Sequence, residues 1–117
     1  MEKKVFSKFD SGKVRVSLVD PLYLKGIAEV MTQGAEVHGA DNWQLCEEPK
    51  RYLDALLRHT LAYWGGEKVD KDSGHSHLYH IGFNAMALDY FDRQENGKVG
   101  VNLEAVWIDI DKEGIEI

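Results

Sequence analysis

The stretch Arg58–Asn84, RHTLAYWGGEKVDKDSGHSHLYHIGFN, decides how the rest of the chain is read. An apolar segment with helical spacing runs into it and stops at Gly65-Gly66. After the polar run Glu67–Gly74 a second helical segment begins near Ser76. Two helices joined by a glycine-punctuated turn form a hairpin, and that hairpin sets a mainly α reading. The turn is dense in titratable groups: Glu67, Asp70 and Asp72 lie in it, and His59, His77 and His80 stand on the flanking helices. Such a crowd is the first place to look for chemistry.

Working outward, the helix before the turn opens at Pro49 and reads PKRYLDALLRHTLAYWGG. Its apolar positions Tyr52, Leu53, Leu56, Leu57, Leu61 and Trp64 form a stripe wide enough to predict a central helix. The helix after the turn, HLYHIGFNAMALDYFDRQ, is predicted to bury Leu78, Ile81, Ala85, Leu88 and Phe91. Upstream, Asp20-Pro21 combines an N-cap with proline at the first helical position. Leu24, Ile27 or Ala28, Met31 and Ala35 then predict a buried face running to about Val37, with Gly39 as a left-handed terminator. Gly34 lowers that helix's propensity by roughly 1 kcal/mol relative to alanine, which close approach of a helix or ligand would justify. Gly39–Glu48 is a loop carrying Asn42-Trp43.

At the N-terminus Val14, Val16 and Leu18 alternate after the turn residues Asp10–Lys13, which predicts a short hairpin or ordered arm. After Asn96-Gly97 the tail contains Val106-Trp107-Ile108-Asp109-Ile110, the clearest strand pattern in the chain. The expected fold is therefore mainly α, a small helical bundle with short β decorations at both ends. One domain spans 1–117, with a helical core over 8–91 and a β tail over 97–117.

The chain has 117 residues and a net charge of −6. That charge argues against a duplex nucleic-acid partner, which needs a basic surface. It leaves phosphorylated small molecules open, because metal ions bridge acidic side chains to phosphates. No apolar run is long enough to span a membrane, and MEKKVFSKFD lacks the apolar centre of a secretory signal. The single cysteine, Cys46, excludes an internal disulfide and fits a reducing, cytoplasmic compartment.

His77, His80 and Asn84 share one helical face at i, i+3 and i+7, and His59 falls in line with Tyr52, Leu56 and Tyr63. Inward polar groups on facing helices build metal and substrate sites in bundles; alternatively they are core histidines bonded to carbonyls or to each other. Glu67, Asp70 and Asp72 suit a hard cation such as Mg²⁺, or are simply a solvated turn. Glu36 lies on one face with Glu29 and Gln33, as a metal ligand or as the solvent side of its helix. Asn42-Trp43 could hold a base by stacking and hydrogen bonding, or Trp43 could cap the core. Arg58 could grip phosphate, or pair with Asp54 one turn back. Lys13 and Arg15 are either an arm over a site or surface charge. No G-x-S-x-G, P-loop or dinucleotide fingerprint occurs.

Taken in order, the motifs resemble a family. Gly34-Ala35-Glu36, His38-Gly39, Asn42-Trp43, Arg51-Tyr52, Arg58-His59, Gly66-Glu67, Asp70, Asp72-Ser73-Gly74, His77-Leu78, His80 and Asn84-Ala85 look like the phage-type dATP/dGTP diphosphohydrolases. That family is regarded as related to the MazG-like all-α nucleoside triphosphate pyrophosphohydrolases. The N-terminal KFDSGKVRVSLVDP is similar to the family's opening segment. The resemblance implies Mg²⁺-dependent (or Mn²⁺-dependent) cleavage of a purine deoxynucleotide to monophosphate and pyrophosphate, by a homo-oligomer. Glu36, Glu67, Asp70 and Asp72 become expected metal ligands, and His77 and His80 join Glu36, Glu67 and Asp70 as catalytic residues. Lys13 and Arg58 are expected at phosphate, with His59, Asn42, Trp43 and Asn84 also against the substrate. The MazG-like Glu-x-x-Glu reads here as Gln33-x-x-Glu36. Two other classes fit the same residues: a transition-metal phosphohydrolase using His59, His77, His80 and Asp70, and a non-catalytic nucleotide-binding bundle.

Overall fold

The computed structural model of the chain describes residues 3–95. These fall in two compact units, 3–18 and 19–95. In the first, the Lys13 N–H donates to the Asp10 carbonyl at 3.1 Å, closing the expected turn at Gly12, whose φ is 80°. The expected strand beyond it does not form. Val16–Leu18 is a single 3-10 turn, with the Leu18 N–H donating to the Arg15 carbonyl at 3.1 Å. Val16 and Leu18 stay exposed. Alternation specifies a strand only when a sheet takes up its apolar face, and none is present among the described residues. The C-terminal β tail lies outside the described residues.

The second unit holds three helices: α1 Pro21–His38, α2 Lys50–Trp64 and α3 His77–Glu95. The Asp20 carboxylate accepts the Leu22 N–H at 3.0 Å and Pro21 follows, so α1 starts as the sequence predicts. It ends with the Gly39 N–H on the Ala35 carbonyl at 2.8 Å. Gly39 has φ 93° but ψ 149°, so the chain leaves extended rather than through the left-handed helical turn expected. At α3 the Ser76 hydroxyl accepts the Leu78 N–H at 3.1 Å, which sets the start of that helix.

The central helix is α3, packed against both α1 and α2, and not α2 as its wide stripe predicts. On α2 the half-buried residues are Tyr52, Ala55, Leu56, His59, Thr60 and Ala62, while Leu53, Leu57, Leu61 and Trp64 are exposed. The buried line of α3 is His77, Asn84, Ala87 and Phe91, with Leu78 and Ala85 outside it. Close approach of α1 to α3 rests on two glycines. A Cβ on Gly26 would fall into the Tyr79 ring, and one on Gly82 would lie 2.6 Å from the Tyr23 hydroxyl and 2.8 Å from Ile27 Cδ1. Gly34, the glycine the sequence marks for such a role, has nothing within 4 Å.

Candidate active site

The site grows from the α2–α3 hairpin. Gly66, at φ 102°, turns the chain out of α2. The loop is then closed by backbone pairs: Asp70 N–H to the His75 carbonyl at 2.8 Å, Gly74 N–H to the Asp70 carbonyl at 2.8 Å, and His77 N–H to the Lys68 carbonyl at 3.0 Å. These bonds fold the turn back on the first turn of α3, so the carboxylates of the loop meet the histidines of the helix.

His77 is only 2% exposed. Its Nε2 lies 2.8 Å from Glu67 Oε1, and its Nδ1 lies 2.8 Å from Nδ1 of His59 on α2. His59 in turn stacks on His80 with ring centres 4.3 Å apart and planes 2° from parallel. His80 Nε2 shares a hydrogen bond with the Ser73 hydroxyl at 2.7 Å, and the Ser73 N–H donates to Asp70 Oδ2 at 3.0 Å. Asp70 Oδ2 is 3.7 Å from His80 Nε2. Ser73, His80 and Asp70 are not a nucleophile relay, because the carboxylate faces the same ring nitrogen as the hydroxyl. Among the described residues, His59, Asp70 and His77 are the trio whose ligand atoms all lie within 4.8 Å of one another.

Burial pushes the His80 pKa down to about 4, helped by repulsion from His59 and opposed by Asp70. Burial, followed by His77, lowers His59 as well. Burial works to raise Asp70, but the hydrogen bonds from Ser73 and then the nearby histidines outweigh it and hold its pKa below the ordinary value. The stacked imidazoles are therefore neutral at pH 7, the form that binds metal and donates one N–H.

Beside this cluster opens a groove of about 1560 Å³, with Asn42, Trp43, Arg58, His59, Asp72, Ser73, His80 and Asn84 in its lining. Most small-molecule pockets occupy about 300–1,000 Å³, so this groove is wider than most. Arg58 is exposed at the groove and makes no ion pair with Asp54 among the described residues. Trp43 packs edge-on against Tyr90 and Phe83, with ring centres 4.9 and 6.1 Å away, and its carbonyl accepts the Tyr52 hydroxyl at 2.7 Å. It caps the core and lines the groove together. Asn84, buried, donates from Nδ2 to the His80 carbonyl at 2.8 Å.

Groove and cluster thus gather Asn42, Trp43, Arg58, His59, Glu67, Asp70, Asp72, His77, His80 and Asn84. Glu36 is exposed on α1 and belongs neither to the groove lining nor to the ligand trio. Lys13 lies in the other unit. Two residues named in the sequence motifs take roles that the sequence reading did not assign. Ser73 holds Asp70 and His80 at once, a role signalled by the Asp70-x-x-Ser73 spacing of a side-chain-capped turn. Gln33 donates from Nε2 to the Ser73 carbonyl at 3.4 Å. A glutamate at that position could not donate.

Residues 4–99 match the family model described as dATP/dGTP diphosphohydrolase, N-terminal. The chain belongs to that family. A dATP/dGTP diphosphohydrolase of Salmonella phage PMBT28 is 35% identical over 81 residues, which are 69% of this chain and 28% of the phage protein. The chain thus aligns with less than a third of that relative. No solved structure matches it.

Proposed function

We propose that the chain hydrolyses dATP and dGTP between the α- and β-phosphates, giving deoxynucleoside monophosphate and pyrophosphate with a divalent cation. The observation that carries this reading is the groove, which joins an aromatic end at Asn42 and Trp43 to a polar end at Arg58, Asp72, His59 and His80. A base needs the first and a triphosphate the second. In the reaction a water oxygen bonds to the α-phosphorus, and the bond from that phosphorus to the bridging oxygen breaks. The bridging oxygen leaves on pyrophosphate. Arg58 supplies a forked donor for phosphate oxygens, and the neutral ring of His80 offers one N–H.

Mg²⁺ or Mn²⁺ would neutralise the triphosphate and acidify the attacking water. Such a cation fits best as one carried in by the nucleotide. Glu67 is engaged by His77 and Lys71, whereas Asp72 lines the groove together with Asp41, Glu47, Glu48 and Asp54. The relation to MazG-like enzymes is supported by the mainly helical fold.

A homo-oligomer is the second part of the reading. Leu53, Leu57, Leu61 and Trp64 leave an apolar line exposed along α2, and the buried apolar residues among those described are only Val30, Ala87 and Phe91. A second copy laid on α2 would bury that line. No described helix is long and apolar enough to cross a membrane, and the proposed location is the cytoplasm, where the nucleotides are.

The test is incubation with dATP, dGTP and the pyrimidine deoxynucleotides in Mg²⁺ or Mn²⁺, following pyrophosphate. Purine-dependent release is expected. No release under either metal, or orthophosphate in its place, overturns the reading.

A further inference from the structure

We propose that His59, His77 and Asp70 form a resident transition-metal centre, of the Mn²⁺, Fe²⁺, Co²⁺ or Zn²⁺ class, separate from the cation that accompanies a nucleotide. The centre rests on metal-ligand chemistry alone and does not depend on the hydrolytic reading.

The geometry is that of a coordination edge. Two nitrogens bound at about 2.0–2.1 Å to one ion stand about 2.9 Å apart at a right angle and about 3.4 Å apart at the tetrahedral angle. His59 and His77 hold their Nδ1 atoms 2.8 Å apart, the spacing of such an edge, and rotation of the two rings would turn their lone pairs from each other toward a shared ion. Asp70 completes the set, one ligand atom from each of the three residues lying within 4.8 Å of the others. Two imidazoles with one carboxylate suit a borderline transition ion, whereas Mg²⁺ takes oxygen ligands.

The second shell is also present. Glu67 accepts from Nε2 of His77, which leaves the Nδ1 lone pair directed at His59. A carboxylate holding the far nitrogen of a ligating histidine fixes its tautomer and raises its basicity. Ser73 orients Asp70, donating its backbone N–H to Oδ2 at 3.0 Å. At present one hydrogen lies between the two Nδ1 atoms; an ion would take its place and that hydrogen would move to Nε2 of His59. His59 also lines the groove, which gives the ion a path in and turns its remaining coordination positions toward whatever the groove holds. Glu67 is the positioning residue of this centre, since it acts through His77.

The experiment uses tag-free chain stripped with a chelator and titrated with Co²⁺ in the absence of nucleotide. One Co²⁺ per chain is expected, with visible d–d bands of a low-coordinate site, displaced by Zn²⁺ and unaffected by excess Mg²⁺. His59→Gln and Asp70→Asn should abolish the bands, and Glu67→Gln should weaken binding by about 10–100-fold. His38→Gln, on an exposed residue outside the cluster, should change nothing. Circular dichroism of each metal-free variant checks folding. Should a variant fail to fold, ¹⁵N imidazole spectra of the unmodified chain decide the matter, with Zn²⁺ shifting the His59 and His77 nitrogens. Bands that survive both substitutions, Zn²⁺ shifts confined to other histidines, or no bound ion at all overturn the assignment. Pyrophosphate release can fail while Co²⁺ binds, and the reverse, so the two proposals fall separately.

Discussion

His59 and His80, on α2 and α3, lie face to face with ring centres 4.3 Å apart and planes 2° from parallel. Burial first, then repulsion from His59, lowers the His80 pKa, while burial followed by repulsion from His77 lowers that of His59. The relationship ties the stability of the α2–α3 hairpin to pH.

His80 carries a folded-state pKa of about 4 against 6.5 when unfolded, and His59 is shifted in the same direction. Above pH 6.5 both states hold these rings neutral and stability is at its full value. As pH falls from 6.5 toward 4 the unfolded chain takes up protons that the folded chain refuses, so stability is lost across that window. Thermal melting of chelator-treated chain should show Tm falling steadily from pH 7 to pH 4.5, and His80→Asn should flatten the slope. A Tm that holds constant or rises on acidification contradicts this.

Gly26→Ala and Gly34→Ala should move stability in opposite directions. A methyl at position 26 collides with the Tyr79 ring, and overpacking of this kind costs about 1–3 kcal/mol. At position 34 there is open space, so alanine contributes its helix propensity, a gain of up to about 1 kcal/mol. Urea denaturation of the two variants checks both signs, and destabilisation by Gly34→Ala would contradict the account.

Arg58→Ala should lower kcat/KM for dGTP by about 10–100-fold, the range expected when a charge-assisted hydrogen bond of about 1.5–3 kcal/mol is lost. Because Arg58 is exposed and not ion-paired with Asp54, Tm should stay within a degree or so of the unmodified chain. Arg58→Lys keeps the charge but not the fork and should recover only part of the rate. Unchanged kinetics in Arg58→Ala would remove this residue from the site.

Leu57→Glu places a charge in the middle of the exposed line on α2. Sedimentation should show the oligomer replaced by single chains, with helix content retained. An unmodified chain that sediments as a monomer at all concentrations would contradict the assembly proposed for this face.

The helices were legible because their ends are written in local chemistry: Asp20-Pro21, Gly39, Gly65-Gly66 and Ser76 each act within a few residues. Site residues on α3 were legible for a similar reason, since helical phase alone puts His77, His80 and Asn84 on one face. What the sequence did not carry was rotation and partnership. The stripe on α2 is equally apolar on both sides, so nothing local says that Leu56 turns inward and Leu57 outward. The Gly26–Tyr79 crossing depends on which helix arrives, and periodicity pointed to Gly34 instead. Val14, Val16 and Leu18 alternate like a strand yet find no sheet. Glu67 and His77 are ten positions apart, and only the backbone pairs across the turn bring Oε1 and Nε2 to 2.8 Å. Which side chains pair across the turn was therefore less legible than which residues gather near it.

Cleavage between the α- and β-phosphates is read out by ³¹P NMR of dGTP turnover in ¹⁸O-enriched water with Mg²⁺. The account predicts pyrophosphate and dGMP in equal amounts, with the heavy oxygen in the dGMP phosphate. Orthophosphate with dGDP, tripolyphosphate with deoxyguanosine, or label appearing in pyrophosphate would contradict it.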